Sequence, residues 1–454
     1  MRTFTVSIRK ILFTALCLTL WGGLPETRAQ AQTTMVFVGN QGNFTEANGS
    51  VTAYDPATDA VVVDAVPDLN TLVQSITLHE GSGYVMANTS DRVDVFDVET
   101  LARTAQILDV PSPRYMAVVG EDKAYVTNLF SATVTILDLA NNTVAGTIPV
   151  GDNPEGIAVR GDRAYVANSG FGAGTTVTVI DTSTDAVVET REVGCDGPRF
   201  LAVDAEDELW VFCTGKTVYN SDFTQIIEQT NGQVVAFDEA TGEEAMRVAL
   251  EAQIGGGSSG QDVYYDPVSG MAFALTGLTI LPFDTHANAP GEPILLPGDT
   301  PAGGLAYDGA TERFFVGRVP SFVEEGFVTI HDAAGNEVGR FDAGVAPAAV
   351  ALYRPDFNVA VEDEGLPSDF RLGANYPNPF NPSTTVPFEL ARAGRVSLKI
   401  FNLLGEEVAT LVDATLPAGR HTATWQASGL PSGLYLARLR AGASVQTRAL
   451  TLLK

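Results

Sequence analysis

The chain has 454 residues, of which 45% are hydrophobic, 44 are Gly and 24 are Pro, and 55 acidic against 27 basic side chains leave a formal net charge of -28. That is globular material for two or three domains rather than a disordered chain. Between residues 33 and 365 the charge concentrates to about -35 with only two lysines, Lys123 and Lys216, which excludes a nucleic-acid backbone as partner because such binding rests on clustered Lys and Arg.

In chain order, Arg2, Arg9 and Lys10 precede the apolar run Ile11 to Leu20, and Ala29-Gln30-Ala31 supplies small residues for cleavage. This pattern predicts a secretory signal peptide over residues 1–31 and a mature chain from Gln32. No later stretch is long and apolar enough for a transmembrane helix.

A unit then recurs at 40 to 60 residues. "AYVTNLFSATVTILD" from Ala124 is followed by "AYVANSGFGAGTTVTVID" from Ala164, each reading as strand, connection, strand with period-two alternation. Phe37, Val85, Tyr125, Tyr165, Trp210, Phe273 and Phe315 mark equivalent strands, and Asp55, Asp97, Asp138, Asp181, Asp238, Asp284 and Asp332 end the strands that follow. A third marker, as in "PEGIAV" at Pro154, precedes each of these pairs, with weaker forms at Leu72 to Leu78 and at Gln261 to Tyr265. The last copy, "PAAVAL" at Pro347, has no partner strand after it. Four strands per unit, A to D, seven times over, predict a seven-bladed β-propeller over residues 32–356. The leftover strand at Val350 to Leu352 is expected to complete the first blade beside Met35 to Asn40 and so remove two exposed sheet edges.

These residues resemble the YVTN-type β-propeller repeats of secreted and cell-surface proteins. The likeness is strongest at Tyr125-Val126-Thr127-Asn128 and Tyr165-Val166-Ala167-Asn168, and it weakens after Cys213.

Residues 357–374 read as an acidic linker, and residues 375–454 as about seven short alternating strands, a small immunoglobulin-like β-sandwich. The fold class expected is therefore all-β throughout. Its opening, Asn375-Tyr376-Pro377-Asn378-Pro379-Phe380-Asn381-Pro382, is neither helix nor central strand, since its prolines remove donors and restrict φ. With "IFNLLGEEV" and "LPSGLY", the tail resembles the C-terminal sorting domain of type IX secretion substrates. The resemblance implies handling by the type IX machinery, passage across the outer membrane, removal of the domain, and attachment to the cell surface or release.

Chemistry-bearing groups are sparse. His79, His286 and His331 share no metal-ligand spacing, no nucleophile has a nearby base, and "GGGSSG" at Gly255 to Gly260 lacks the Lys of a phosphate-binding loop and reads as a connector. No catalytic or metal-binding residue is assigned. The seven strand-end Asp read as turn caps, with calcium as the alternative, and Asn40, Asn88, Asn128 and Asn168 read as structural caps. Cys195 and Cys213 flank one A-B hairpin and are expected to pair in an oxidising exterior, two buried thiols being the alternative.

The reading of function is a non-catalytic module that binds a surface protein or glycan. The alternative is an extracellular enzyme, such as a lactonase-like hydrolase with a metal at the channel mouth. Long connections from B to C gather on one face, where recognition on rigid scaffolds usually resides. The candidate contact residues are Phe171, Tyr219, Phe223 and Phe322 in those loops, and Arg114, Glu155, Arg199 and Gln261 at the entry to the inner strands. For the last four, a ring of ion pairs between blades is the competing reading.

Overall fold

The computed structural model describes residues 35–354 and 371–453, apart from Phe223, 256–259, Val268, 374, 376–377, 379, 391–393, 403–406, 417–418 and 442–443. The expected signal peptide, most of the expected linker, and Phe223, Tyr376, Pro377 and Pro379 lie outside the described residues.

Blade 3 shows the unit. Strand A (Pro113–Gly120), B (Lys123–Asn128), C (Thr133–Asp138) and D (Thr143–Pro149) form one antiparallel sheet in that order. Six further sheets repeat it, and blade 1 is assembled from both ends of the repeat region: Pro347–Tyr353 is its strand A and pairs with Met35–Asn40, Val38 lying opposite Val350. The protein is thus a seven-bladed propeller closed by its last inner strand. Departures from the unit are local. Blade 5 inserts a hairpin (Thr217–Tyr219 with Ile226–Gln229) between B and C, and blade 6 has a broken outer strand, Ala289–Pro290 and Ile294–Leu295.

Strand B is apolar on both faces because each face is covered by a different neighbour. In blade 3, Tyr125 enters the core shared with blade 4, while Ala124 and Val126 enter the core shared with blade 2. Seven such cores run around the ring, the last joining Phe315 and Val328 of blade 7 to Val36 and Val38 of blade 1. The Tyr hydroxyls add links between blades. Tyr165 Oη donates to Glu239 Oε2 at 2.7 Å, and Tyr125 Oη donates to Asp185, in each case a residue of the next blade's C-D turn.

The Asn of the repeat ties strand B to strand C. Asn40, Asn128 and Asn168 are buried, and their Nδ2 atoms donate to Thr52, Thr135 and Thr178 at 2.9, 2.8 and 3.0 Å. Arg318 takes this place in blade 7, with Nε donating to Thr329 at 2.9 Å. All seven C strands end at the expected Asp, and each carboxylate accepts a backbone N–H from its own turn, as Asp181 Oδ1 does from Ser183 and Thr184 at 2.9 and 3.0 Å. These bonds hold Asp97, Asp138, Asp181, Asp238 and Asp332 below the usual carboxylate range, with Thr100, Asn141, Ser183, Thr241 and Asn336 the leading donors.

Blade 2 corrects one register. Ser82 pairs with Asp97 as Lys123 pairs with Asp138, so Tyr84, not Val85, stands where Tyr125 does, and Ala87 stands where Asn128 does. Asn88 lies one residue past the strand and donates instead to Pro113 O at 3.1 Å. Asn-to-Asn alignment misleads here because the pairing is set by the Asp that ends strand C.

The second body is a two-sheet sandwich. Arg371–Leu372, Ser383–Leu390 and Gly419–Gln426 form one sheet; Glu407–Leu416, Gly394–Phe401, Gly433–Ala441 and Ser444–Leu452 form the other. Leu398, Ile400, Trp425 and Tyr435 lie in its core. The strand Arg371–Leu372 falls in the stretch expected as linker and pairs Leu372 with Phe388. The Asn-Pro-rich opening clamps the terminal strand: Asn378 Oδ1 accepts from Thr451 N at 2.8 Å, Phe380 N donates to Thr451 O and Leu453 N to Phe380 O, both at 2.9 Å. Asn375 Nδ2 donates to Thr384 at 2.9 Å, and Pro382 O accepts from Ala427 N at 2.8 Å.

Candidate binding face and channel rim

Three of the four rim residues, Arg114, Glu155 and Arg199, are brought together, but against one another. Arg114 of blade 3 donates through Nε and Nη2 to both carboxylate oxygens of Glu155 in blade 4, each at 2.8 Å, and through Nη1 to Gln74 of blade 2. Arg199 of blade 5 stands 4.0 Å from the same Glu155. Arg114 and Glu155 are buried, so this is an ion-pair chain across blades 3 to 5, tied to blade 2 by the Gln74 amide. A buried pair of this kind is costly to break, because one charge is left uncompensated.

Gly260 and Gln261, just before the inner strand of blade 6, meet this cluster. Gly260 O accepts from Arg199 Nη2 at 3.3 Å and from Tyr115 Oη at 3.4 Å, and Gln261 N donates to Ala348 O of blade 1 at 2.7 Å. A Cβ at Gly260 would lie 2.0 Å from Ala348 O, so only glycine fits there. Gln261 contributes by its backbone here, its carbonyl accepting from Leu305 N at 3.0 Å. Next to it, Asp262 is fully buried, and neither carboxylate oxygen completes a hydrogen bond among the described residues. Burial pushes its pKa up to about 7, against the opposing Arg199 charge and the Gly304 backbone. Sequence reasoning passed over Asp262; its place directly before an inner strand was the available signal.

The histidines are dispersed. His331 is buried with Nε2 2.8 Å from Thr329 Oγ1, burial lowering its pKa, while His286 is exposed with Nδ1 2.8 Å from Glu206, and His79 ends the inner strand of blade 2. Among the described residues no group of three or more His, Cys, Asp or Glu has the geometry to hold a metal ion.

The loop residues behave differently. Phe171, Tyr219 and Phe322 are exposed, and so are Phe44, Phe130, Ile226, Ile227 and Val323, which the sequence reading did not single out. All eight sit in connections from B to C, on one face of the ring. Among the described residues, no large exposed apolar side chain lies in the A-B or C-D turns of the opposite face. The loops are braced: Asn43 Nδ2 donates to Phe322 O at 2.9 Å, and Gln253 Nε2 donates to Lys216 O, Thr217 Oγ1 and Thr230 O at 3.1, 3.1 and 3.0 Å beneath the blade 5 hairpin. Cys195 and Cys213 are bonded beside the same hairpin, with Cα atoms 6.0 Å apart.

Comparison with known proteins agrees with this architecture. Residues 374–452 match the family described as secretion system C-terminal sorting domain, and residues 35–231 match a domain of unknown function, DUF5074. The seven-bladed beta-propeller protein Rv1057 of Mycobacterium tuberculosis is 31% identical over 120 residues, a match taking in 25% of this chain and 30% of that protein. Among solved structures, Kuenenia stuttgartiensis hydrazine synthase aligns with a TM-score of 0.50 at 20% identity over 62% of this chain and 95% of that one. Apo AztD from Citrobacter koseri aligns with a TM-score of 0.48 at 10% identity over 71% of this chain and 98% of that one. The chain is a β-propeller with a C-terminal sorting domain of the type IX kind, which indicates export to the cell surface or the medium. No helix among the described residues is long and apolar enough to cross a membrane.

Proposed function

We propose that this exported propeller is a non-catalytic binding module that contacts a surface protein or glycan through its B-to-C loop face. The observation that carries the reading is the gathering of eight exposed apolar side chains, every exposed aromatic of the described propeller among them, on loops braced by the ring, with Phe44, Phe130 and Phe171 at 79%, 71% and 63% exposure. The other exposed apolar residues of the propeller, such as Leu108 and Leu295, lie along the outer strands. Scattered exposed apolar residues need no explanation, but eight confined to one face mark an interaction surface. The inner rim supports the reading from the other side. Arg114, Glu155 and Arg199 spend their charges on each other and on Gly260, so recognition falls to the loops rather than to the channel. The reading needs no cofactor, and each of the seven strand-end Asp uses at least one carboxylate oxygen to cap its own turn.

The test is a paired capture experiment with the native cell envelope and spent medium. A variant carrying Phe44→Ser, Phe130→Ser and Phe322→Ser is expected to lose the species the wild type retains, at an unchanged melting temperature. A variant altered only in the C-D turns, Glu99→Ala and Asn141→Ala, is expected to keep it. Loss with the second and retention with the first would place recognition elsewhere.

A further inference from the structure

The connections on the loop face carry thirteen carboxylates, one lysine and no arginine. That lysine, Lys216, is already 2.6 Å from Glu228. The opposite face is acidic as well, but some of its acids are matched by cations from the adjoining strands, as in Lys123 with Asp185, Arg160 with Asp207 and Arg191 with Glu239. The loop face therefore combines exposed aromatic rings with a surplus of carboxylates over cations.

The two features converge between blades 3 and 4. The rings of Phe130 and Phe171, both exposed, stand with centroids 6.0 Å apart. The connection between them holds both loops: Gly170 N donates to Asp152 O at 3.0 Å, and Asn153 Nδ2 donates to Leu129 O at 2.9 Å. Asp152 is itself exposed, and its carbonyl is bonded to the residue that precedes Phe171. Phe171 has φ 55° and ψ 38°, and it lies between Gly170 and Gly172, at φ 53° and 91°. A bulky residue in the left-handed region is strained, and here the turn that holds it, closed by Gly172 N and Gly174 N on Ser169 O and by Ala173 N on Gly170 O, leaves the aromatic ring in water.

Aromatic faces and carboxylates share one preference, for cations. We propose that Phe130, Phe171 and Asp152 form the docking point for a Lys- or Arg-bearing segment of a partner polypeptide, a proposal that rests on the loop-face reading above. The guanidinium or ammonium group meets the ring faces and the Asp152 charge. An anionic glycan, a nucleic acid or an anionic lipid surface would meet the surplus carboxylates as like charge. A neutral glycan would stack on the rings and leave those carboxylates idle.

The probe is a fluorescent peptide of alternating Arg and Leu, compared with the same peptide carrying neutral citrulline for Arg and titrated against the full propeller at low and physiological salt. The Arg peptide is expected to bind more tightly than the citrulline peptide and to weaken with salt. Phe171→Gly removes the ring and also relieves the left-handed strain, so the variant folds at least as well as the wild type. It is expected to weaken the Arg peptide about three- to thirty-fold, the range of a cation–π contact. Asp152→Asn is expected to weaken the Arg peptide while leaving the citrulline peptide unchanged. If the citrulline peptide binds as well as the Arg peptide and both are weakened by Phe171→Gly, the cation assignment fails and the loop face stands. If neither peptide responds to Phe171→Gly or Phe130→Ser, or neither binds, the docking point is overturned, and the capture experiment above then decides the loop face separately.

Discussion

Two kinds of carboxylate set the pH response of this propeller, and they pull in opposite directions. The turn-capping Asp97, Asp138, Asp181, Asp238 and Asp332 are lowered in the folded state. Their stabilisation is present above the ordinary carboxylate value and is lost as pH falls through their folded pKa values. Asp262 is the reverse case, raised to about 7 by burial. Its stabilisation is complete below the unfolded value of 3.8 and is lost as pH rises toward 7, a decrease of up to about 4 kcal/mol for a shift of this size. Stability is therefore expected to peak in the mildly acidic range. Asp262→Asn, which cannot ionise, is expected to match the wild type near pH 4 and to exceed it at pH 8. Denaturant titrations of both proteins at the two pH values check this, and equal losses of stability between pH 4 and pH 8 would show that Asp262 does not control the alkaline side.

At the scale of the element, the inner strand Pro347–Tyr353 has more to do than any other, because it is the only one supplied from the far end of the repeat region. Its Ala348, Ala349 and Val350 are buried, Val350 in the core between blades 7 and 1, and Ala348 O accepts from Gln261 N. A chain ending at Ala346 loses that burial, at roughly 1.5 to 3 kcal/mol for a large apolar side chain, and it uncovers the edge of Met35–Asn40. It is expected to melt well below a chain ending at residue 356, if it folds at all. Equal melting temperatures would mean that the ring does not depend on this strand. The blade 5 hairpin is the contrasting element. Its strand Ile226–Gln229 is exposed throughout, so shortening it leaves the cores untouched.

For the whole molecule, an acidic propeller is joined to a sandwich that has an excess of basic residues and matches a secretion sorting domain. Removing residues 357–454 is expected to leave the propeller's melting temperature unchanged, since its seven cores close without them. The same deletion is expected to retain the protein behind the outer membrane. Cell fractionation reads the outcome directly, and a truncated chain reaching the medium at the wild-type level would remove the tail from the export route. In the sorting domain, the Asn-Pro-rich opening reads in the structure as a clasp on the terminal strand through Asn378 and Phe380, so its residue pattern is explained at least in part by folding.

Much of this architecture was legible in the amino-acid order because each blade repeats the same local problem. A strand covered on both faces must be apolar at successive positions, as Tyr125-Val126 is, and a tight turn after strand C must begin with a side chain that accepts backbone N–H groups, as Asp138 does. Blade number, the closing strand and the long loops follow from counting such units. The register of blade 2 did not follow, because Tyr84 and Val85 are both apolar and only the pairing of Ser82 with Asp97 decides between them. Nor did the state of the rim: Arg114, Glu155 and Arg199 are far apart in the chain, and whether such charges face a ligand or one another depends on which blades the ring makes neighbours. The meeting of Phe130, Asp152 and Phe171 belongs to the same class. Local order determined the strands, turns and loops of this protein, whereas closure of the ring decided which of their side chains meet, because contacts between blades join residues that no short stretch of sequence contains together.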